Sequence, residues 1–354
     1  MNKISILFLG DIALNGVFID QFKRQFNPFK NLATFFLKKD LIVGNLECMA
    51  KGDQGENFKK KPRLTSNTET LSFLNTLNVK IVSLAHNHVY DHLEDGFLKT
   101  TQFLNDNKIK FTGASLIKGE EVKSLVKVIN DVKFGFLNYV TSDTNPSLTT
   151  NAKVYLNIFN LDNAIEQIKQ LKQRVNHVIL LLHWGGSVEG GLYPDWDQPK
   201  IAKKLIDAGA DVIIGHHSHT IQPFEIYKGK YIFYSLGNFC FSDFCFEGKN
   251  FINPKRRKKI IIPHFSFNKI NYSVKMTYWI NKGDQIISNP LYKYNMIIKN
   301  LLFLTHKLKP IWSFYFFIHR KINPVIFYFT SNDKSIFQKI QNLNWDKIKR
   351  QILR

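Results

Sequence analysis

An α/β fold is the architecture this sequence predicts, and two observations predict it. Short apolar runs alternate with stretches of helical periodicity from the N-terminus to about residue 245. Five of the predicted strands are also followed by a side chain able to bind a metal, and α/β sheets receive their ligands beyond the carboxyl ends of strands. A chain of 354 residues with 44% hydrophobic content can hold one large domain plus an extension, or two modest domains.

Ile4–Leu9 reads as a first, buried strand. It is too short for a signal peptide or for a membrane span of about 20 residues, so neither is expected. Leu41–Val43 is a short strand. Asn67 or Thr68 can cap a helix with Leu71, Leu74 and Leu77 on one face, followed by the strand Val79–Leu84. Phe97, Thr101 and Leu104 mark a second helix, followed by a strand over Lys108–Thr112. Asn130-Asp131 is a two-residue turn between Lys123–Ile129 and Val132–Val140, and so predicts a hairpin. A third helix carries Ile165, Ile168, Leu171 and Val175 inward and leads to the strand Val178–Leu182. A fourth, Gln198–Ala208, stops at Gly209 before Val212–Ile214. Lys228-Gly229 turns a second hairpin into Tyr231–Tyr234.

The net charge of +21 is unevenly spread: residues 251–354 hold 20 Lys/Arg against three acids. This predicts a domain over 1–250 and a basic, aromatic-rich extension over 251–354, which supplies the end of the core sheet and a further segment. The three cysteines cannot form a complete disulfide set and match no zinc spacing, so free thiols are expected.

Gly10-Asp11, Asn45-Leu46-Glu47, His86-Asn87-His88, His183-Trp184-Gly185 and His216-His217-Ser218-His219 each follow a predicted strand. Singly, most have ordinary explanations as turns, caps or packing. Three imidazoles within four residues are the strongest element, because they are costly to place unless something binds them.

With Asn87-His88-Val89-Tyr90-Asp91, the run Gly209–His219 and Tyr234-Ser235-Leu236-Gly237-Asn238-Phe239, this series resembles the CapA family of poly-γ-glutamate capsule synthesis over roughly residues 3–245. That family resembles the calcineurin-like metallophosphoesterases. The resemblance implies a sandwich of two mixed sheets flanked by helices, with a dinuclear metal centre. Two divalent ions (manganese, zinc or iron) need a bridging carboxylate and terminal His and Asp ligands. Glu47 is the candidate bridge and Asp11 a ligand of the first metal. Asn87 and His183 would bind the second. His217 and His219, expected to point the same way from an extended segment, would divide between the two. His216 competes for one of these places, because the phosphoesterase pattern is Gly-His-x-His. His88 would face substrate as a proton donor, with Asp91 holding the ring and raising its pKa; a hydrogen bond at a helix start is the competing reading. Lys59 and Asn238 are candidates for substrate contact, with a solvated loop the alternative for Lys59.

Three features depart from the family pattern. His86 stands where Asn is usual, Ala13 occupies the histidine position of Asp-x-His, and the chain opens directly on its first strand. In the tail, Lys255–Lys259 is a block of five cations, read as a solvated loop before the strand Ile260–Ile262. Leu301–Leu304, Ile311–Ile318 and Val325–Phe329 follow, with cations between them and Pro310 and Pro324 interrupting any long helix. This pattern suits an anionic membrane surface, a capping subdomain or a polyanion; no nucleic-acid motif accompanies it. The sequence thus favours a metal-dependent hydrolase acting on an anionic cell-envelope polymer or precursor. It would be cytoplasmic, with the tail a candidate attachment to the inner face of the membrane. A non-catalytic metal-binding partner in polymer synthesis or export is the competing reading.

Overall fold

The computed structural model describes residues 3–330. It is a mixed α/β structure built on two mixed sheets. In chain order the strands are β1 (Ile4–Ala13), β2 (Leu41–Leu46), β3 (Ile81–Ser83), β4 (Lys110–Thr112), β5 (Leu125–Ile129), β6 (Val132–Val140) and β7 (His177–His183). They continue with β8 (Val212–His216), β9 (Phe224–Tyr227), β10 (Lys230–Phe233), β11 (Asn238–Phe241), β12 (Lys259–Phe267), β13 (Tyr272–Asn281) and β14 (Ile286–Ser288). One eight-stranded sheet runs β14-β13-β12-β1-β2-β3-β4, with β11 paired to the far end of β1. A six-stranded sheet runs β9-β10-β8-β7-β6-β5.

The alternation of side chains along β1 joins the layers. Ile4, Ile6 and Phe8 point into a core shared with Phe134 and Phe136 of β6, Ile179 and Leu181 of β7, and Val212 and Ile214 of β8. Leu7 and Leu9 point the opposite way, into a second core with Phe18, Phe29, Leu32, Phe36, Phe97 and Leu104 from the helical layer. Strands buried on both faces read as continuous apolar runs, which is why Ile4–Leu9 was visible in the sequence.

Both hairpins form as expected. Asn130 and Asp131 (φ 46° and 63°) connect β5 to β6, and Lys228-Gly229 (φ 49° and 74°) connect β9 to β10. The helices Leu93–Asp106, Leu161–Lys172 and Gln198–Asp207 also form, the second capped by Asn160 Oδ1 accepting from Asn163 N at 3.1 Å. The helix expected after Asn67 or Thr68 is shorter than predicted. It consists of a 3₁₀ turn, Thr70–Ser72, and one α-helical turn, Phe73–Thr76, with no side-chain cap. Leu71, Leu74 and Leu77 are buried all the same, so burial gives the periodic signal without a long helix.

The compact unit extends to Asn300, beyond the boundary that the change in charge suggested at 250. Net charge records surface composition, whereas domain membership follows hydrogen bonding and burial. β12 pairs antiparallel with β1 through Ile4↔Phe267 to Leu7↔His264, and Phe265 and Phe267 are fully buried. The second unit begins at Leu301. Within it lie the helix Lys309–Phe317, with Pro310 in its first turn, a π-helical segment Ile318–Ile322, and the helix Asn323–Thr330. Pro324 has no N–H to donate, and the widened turn lies just before it. Among the described residues, no helix is long and apolar enough to cross a membrane. The three cysteines are free, Cys48 and Cys240 buried and Cys245 exposed.

Candidate metal centre

Four strand ends and a loop deliver the polar cluster. At Gly10 a Cβ would meet Gly237 O at 2.0 Å, so glycine is needed for β11 to approach β1 there. Asp11 N then donates to Gly237 O at 2.9 Å, which seats Asp11 in the cluster. Glu47 follows the last residue of β2, and its N–H donates to Ile12 O at 2.9 Å. His183 ends β7 and His216 ends β8. Asn87 and His88 come from the loop after β3.

Single ligand atoms of Glu47, His183 and His217 lie within 4.8 Å of one another, and so do those of Asp11, Glu47 and His219. Glu47 belongs to both groups, as the expectation of a bridge requires. It is fully buried, and neither carboxylate oxygen has a hydrogen-bond partner. Its Oε1 lies 3.7 Å from both His183 Nε2 and His219 Nε2. His183 Nε2 also faces Asn87 Oδ1 at 2.9 Å and His217 Nδ1 at 3.0 Å. Lone-pair donors converging on an unpartnered buried carboxylate fit divalent cations, because a buried charge without compensation is otherwise strongly unfavourable.

Surrounding groups orient the inner ones. Asn45 Nδ2 donates to Asp11 Oδ1 at 2.9 Å, and Ser83 Oγ donates to Asn45 Oδ1 at 2.9 Å. His216 Nδ1 donates to Asp11 Oδ1 at 3.1 Å, and neither compact ligand group includes His216. Asn238 Oδ1 lies 2.9 Å from His219 Nδ1 and so orients that ring. His217 and His219 do not sit on an extended segment: their φ values are 93° and 57°. The chain turns beyond β8, and this left-handed backbone aims both rings inward.

Burial raises Glu47 well above the usual carboxylate range, and the nearby charge of Asp11 adds to the rise. Burial would also raise Asp11, but hydrogen bonds from His216 and His219 outweigh it and hold Asp11 well below its ordinary value. Burial holds His183 well below the ordinary imidazole value and brings His217 down to about 4, so both stay neutral and keep lone pairs for a metal.

The description "Bacterial capsule synthesis protein PGA_cap" matches residues 5–243. The chain belongs to this PGA_cap family. Over 253 residues it is 26% identical to the capsule biosynthesis protein CapA of Bacillus anthracis, covering 68% of this chain and 60% of that protein. Over 247 residues it is 28% identical to the PGA biosynthesis protein CapA of Bacillus subtilis (strain 168), covering 67% and 63%. The chain therefore spans less than two thirds of the length of these relatives. Among solved structures, Haemophilus influenzae NAD nucleotidase (NadN) superposes with a TM-score of 0.48 at 15% identity, covering 85% of this chain and 62% of that one.

Beside the candidate ligand cluster, His88 Nδ1 donates to Asp91 Oδ2 at 2.7 Å, and that oxygen also accepts from Leu64 N at 2.6 Å. The expectation that Asp91 raises His88 is reversed. Burial dominates and holds His88 well below its ordinary value, while it lifts Asp91 to about 8. A neutral acid beside a neutral imidazole has the same proton count as a carboxylate beside an imidazolium. The pair therefore keeps one dissociable proton at neutral pH. His86 Nδ1 accepts from His88 N at 3.1 Å, which ties this family departure to the loop holding His88.

The structure does not bring Lys59 to this cluster; the residue is exposed. Lys60 is buried instead, with Nζ donating to Asn145 O at 2.9 Å and with Asp91, Glu189 and Glu47 acting on its charge. Neighbouring lysines in an irregular loop carry no periodicity, so sequence alone could not separate the two. Sequence reasoning also missed Glu189 and Arg257 at the rim. The Nη2 of Arg257 lies 3.6 Å from Glu189 Oε1. The cation block Lys255–Lys259 was the only signal for Arg257, and it did not single out one residue.

Proposed function

We propose that the protein is a metal-dependent hydrolase of capsule biosynthesis, cleaving a phosphoester or related bond in an anionic cell-envelope polymer or its precursor. One observation carries this reading: Glu47 is fully buried, has no hydrogen-bond partner, and is shared by two compact ligand groups. The names of the two CapA relatives support the capsule setting. Manganese, zinc or iron ions suit the donors, with Asp11, Glu47 and His219 for one ion and Glu47, His183, His217 and Asn87 for the other. Such ions, when bound, activate water and neutralise charge on a phosphoryl group.

The residues of the chain supply the rest. Asp91 fixes the His88 ring through Nδ1, and when the pair's one dissociable proton sits on the imidazole, Nε2 can hand it to the departing oxygen. Asn45, His216 and Asn238 hold Asp11 and His219 in place. The exposed apolar and cationic side chains of the second unit, with no Asp or Glu between Asp284 and Asp333, suit an anionic membrane surface. Ala13 favours a second reading, a metal-binding partner without catalysis, because it removes one terminal ligand of the phosphoesterase pattern.

Purified protein supplied with manganese or zinc is expected to hydrolyse an aryl phosphate monoester or diester. His88→Ala should keep its metal and lose turnover. A wild-type protein that holds metal and turns over neither ester supports the non-catalytic reading.

A further inference from the structure

The basic turn that follows the PGA_cap-matched residues reaches the rim of the metal centre. Pro254 leads into a 3₁₀ turn, Lys255–Lys258, where Arg257 N donates to Pro254 O at 2.8 Å. Asn253 anchors the turn: its N–H donates to Asp243 Oδ1 at 2.7 Å, and its side chain donates to Ser242 O at 2.9 Å. Of the four cations in the turn, Arg257 comes nearest Gly190, with Arg256 Nη2 farther off on the same side. The Nε of Arg257 is buried and has no hydrogen-bond partner, and its Nη2 is 3.6 Å from Glu189 Oε1, beyond hydrogen-bonding distance.

Gly190 leaves room for the guanidinium, since a Cβ there would lie 2.8 Å from Arg257 Nη2. Gly190 N donates at 2.8 Å to the carbonyl of Ser218, the residue between His217 and His219. One peptide thus links the arginine's seat to the histidine loop. Besides Glu189 and Arg256, the charges of Glu47 and Asp11 act on Arg257, and those of Asp91, Glu189 and Glu47 act on Lys60. Two largely buried cations from opposite ends of the domain therefore share the electrostatic surroundings of the cluster.

A guanidinium whose Nε is desolvated and unbonded lacks a partner that a planar or tetrahedral oxyanion would supply, accepting two parallel N–H bonds. We propose that Arg257 forms an oxyanion subsite beside the metal centre that binds a phosphate or carboxylate group of the substrate. Glu189 holds the guanidinium when the subsite is empty. This inference rests on the hydrolase reading and deepens it: the substrate carries a fixed negative charge next to the bond that is cleaved.

The test is calorimetric titration of full-length, manganese-loaded protein with inorganic phosphate and, separately, with glutarate. Metal content and thermal melting are followed for every variant. Arg257→Gln is expected to keep its metal and weaken binding of one probe at least tenfold. Arg257→Lys, which retains charge but loses the fork, should fall between the two. Loss of phosphate binding alone assigns a phosphoryl group, and loss of glutarate binding alone a carboxylate. If Arg257→Gln holds metal and binds both probes as the wild type does, the subsite is refuted while the metal reading stands. Should Arg257→Gln fail to fold, Arg257→Lys with unchanged affinity for both probes refutes it equally. If the wild type holds no metal, the hydrolase reading fails. The same titration on metal-free protein then decides the subsite: binding that Arg257→Gln removes supports it, and no binding overturns it.

Discussion

Replacing Glu47 with Gln should stabilise the metal-free protein while removing its metals. Without metal, the carboxyl is buried, has no hydrogen-bond partner and lies near Asp11, so its folded pKa stands well above the ordinary value. The folded state therefore binds this proton more tightly than the unfolded chain. Stability is unpenalised below the unfolded pKa of about 4.3 and falls by about 1.4 kcal/mol per pH unit above it, until the folded pKa is reached. At pH 7 the ionised, buried carboxyl therefore carries a penalty that the protonated form does not. A buried Gln amide without partners gives back about 1–2 kcal/mol of this gain. Metal-free Glu47→Gln should thus have a flatter pH dependence than the metal-free wild type and gain stability relative to it as pH rises from 4 to 7, at about 1.4 kcal/mol per pH unit while the carboxyl is ionised only in the unfolded chain. Urea denaturation in the presence of a chelator, at pH 4 and pH 7, measures both quantities. Equal pH dependence in the two proteins would refute the reasoning, because Glu47 would then have a compensating partner.

Other parts of the account make separate predictions. Because the His88–Asp91 pair keeps a proton up to about 8, kcat/KM on an aryl phosphate should fall above that pH, and His88→Asn should abolish this limb; an unchanged profile in the mutant moves the role to another group. Asp211 accepts from Lys172 Nζ at 2.5 Å, Lys230 Nζ at 2.6 Å and Val178 N at 2.8 Å. Burial opposes ionisation there, but these bonds depress its pKa, so the stabilisation is present above about pH 4 and lost as pH falls through the lower folded value. Asp211→Asn should cost about 1–2 kcal/mol at pH 7, discounted because both lysines are about a third exposed, and nothing near pH 2 by denaturant titration. Cutting the chain after Asn250 removes three strands of the large sheet and should give insoluble protein. Cutting after Leu308 should keep the metals and lose salt-sensitive binding to anionic vesicles, read by co-sedimentation; vesicle binding that ignores salt would remove the charge argument.

The sequence exposed most of the ligand cluster because most of the proposed ligands follow closely on a buried apolar run, Asp11 while still within β1. Buried strands are legible as apolar runs, so Asp11, Glu47, His183 and the His216–His219 segment could be located by counting forward from Leu9, Leu46, Leu182 and Gly215. What followed was harder to read. A left-handed φ at His217 and His219 has no signature in residue type, since neither is glycine or asparagine. Sequence does not separate Lys59 from Lys60, because loop lysines have no inward or outward phase. The direction of the His88 shift is not legible in sequence, which shows the partner, Asp91, but not how completely both groups are buried. The boundary at 250 follows charge, whereas the compact unit runs on to Asn300, because the pairing of β12 with β1 depends on tertiary register rather than composition.

Metal stoichiometry of the full-length wild-type protein bears on all of this. Purified without chelator and equilibrated with manganese or zinc, it should hold two tightly bound ions per chain by elemental analysis, and Glu47→Ala should hold fewer than one while remaining folded. A wild-type chain that retains less than one ion under every divalent metal tried, or a Glu47→Ala variant that retains two, would contradict the two-metal account built on Glu47.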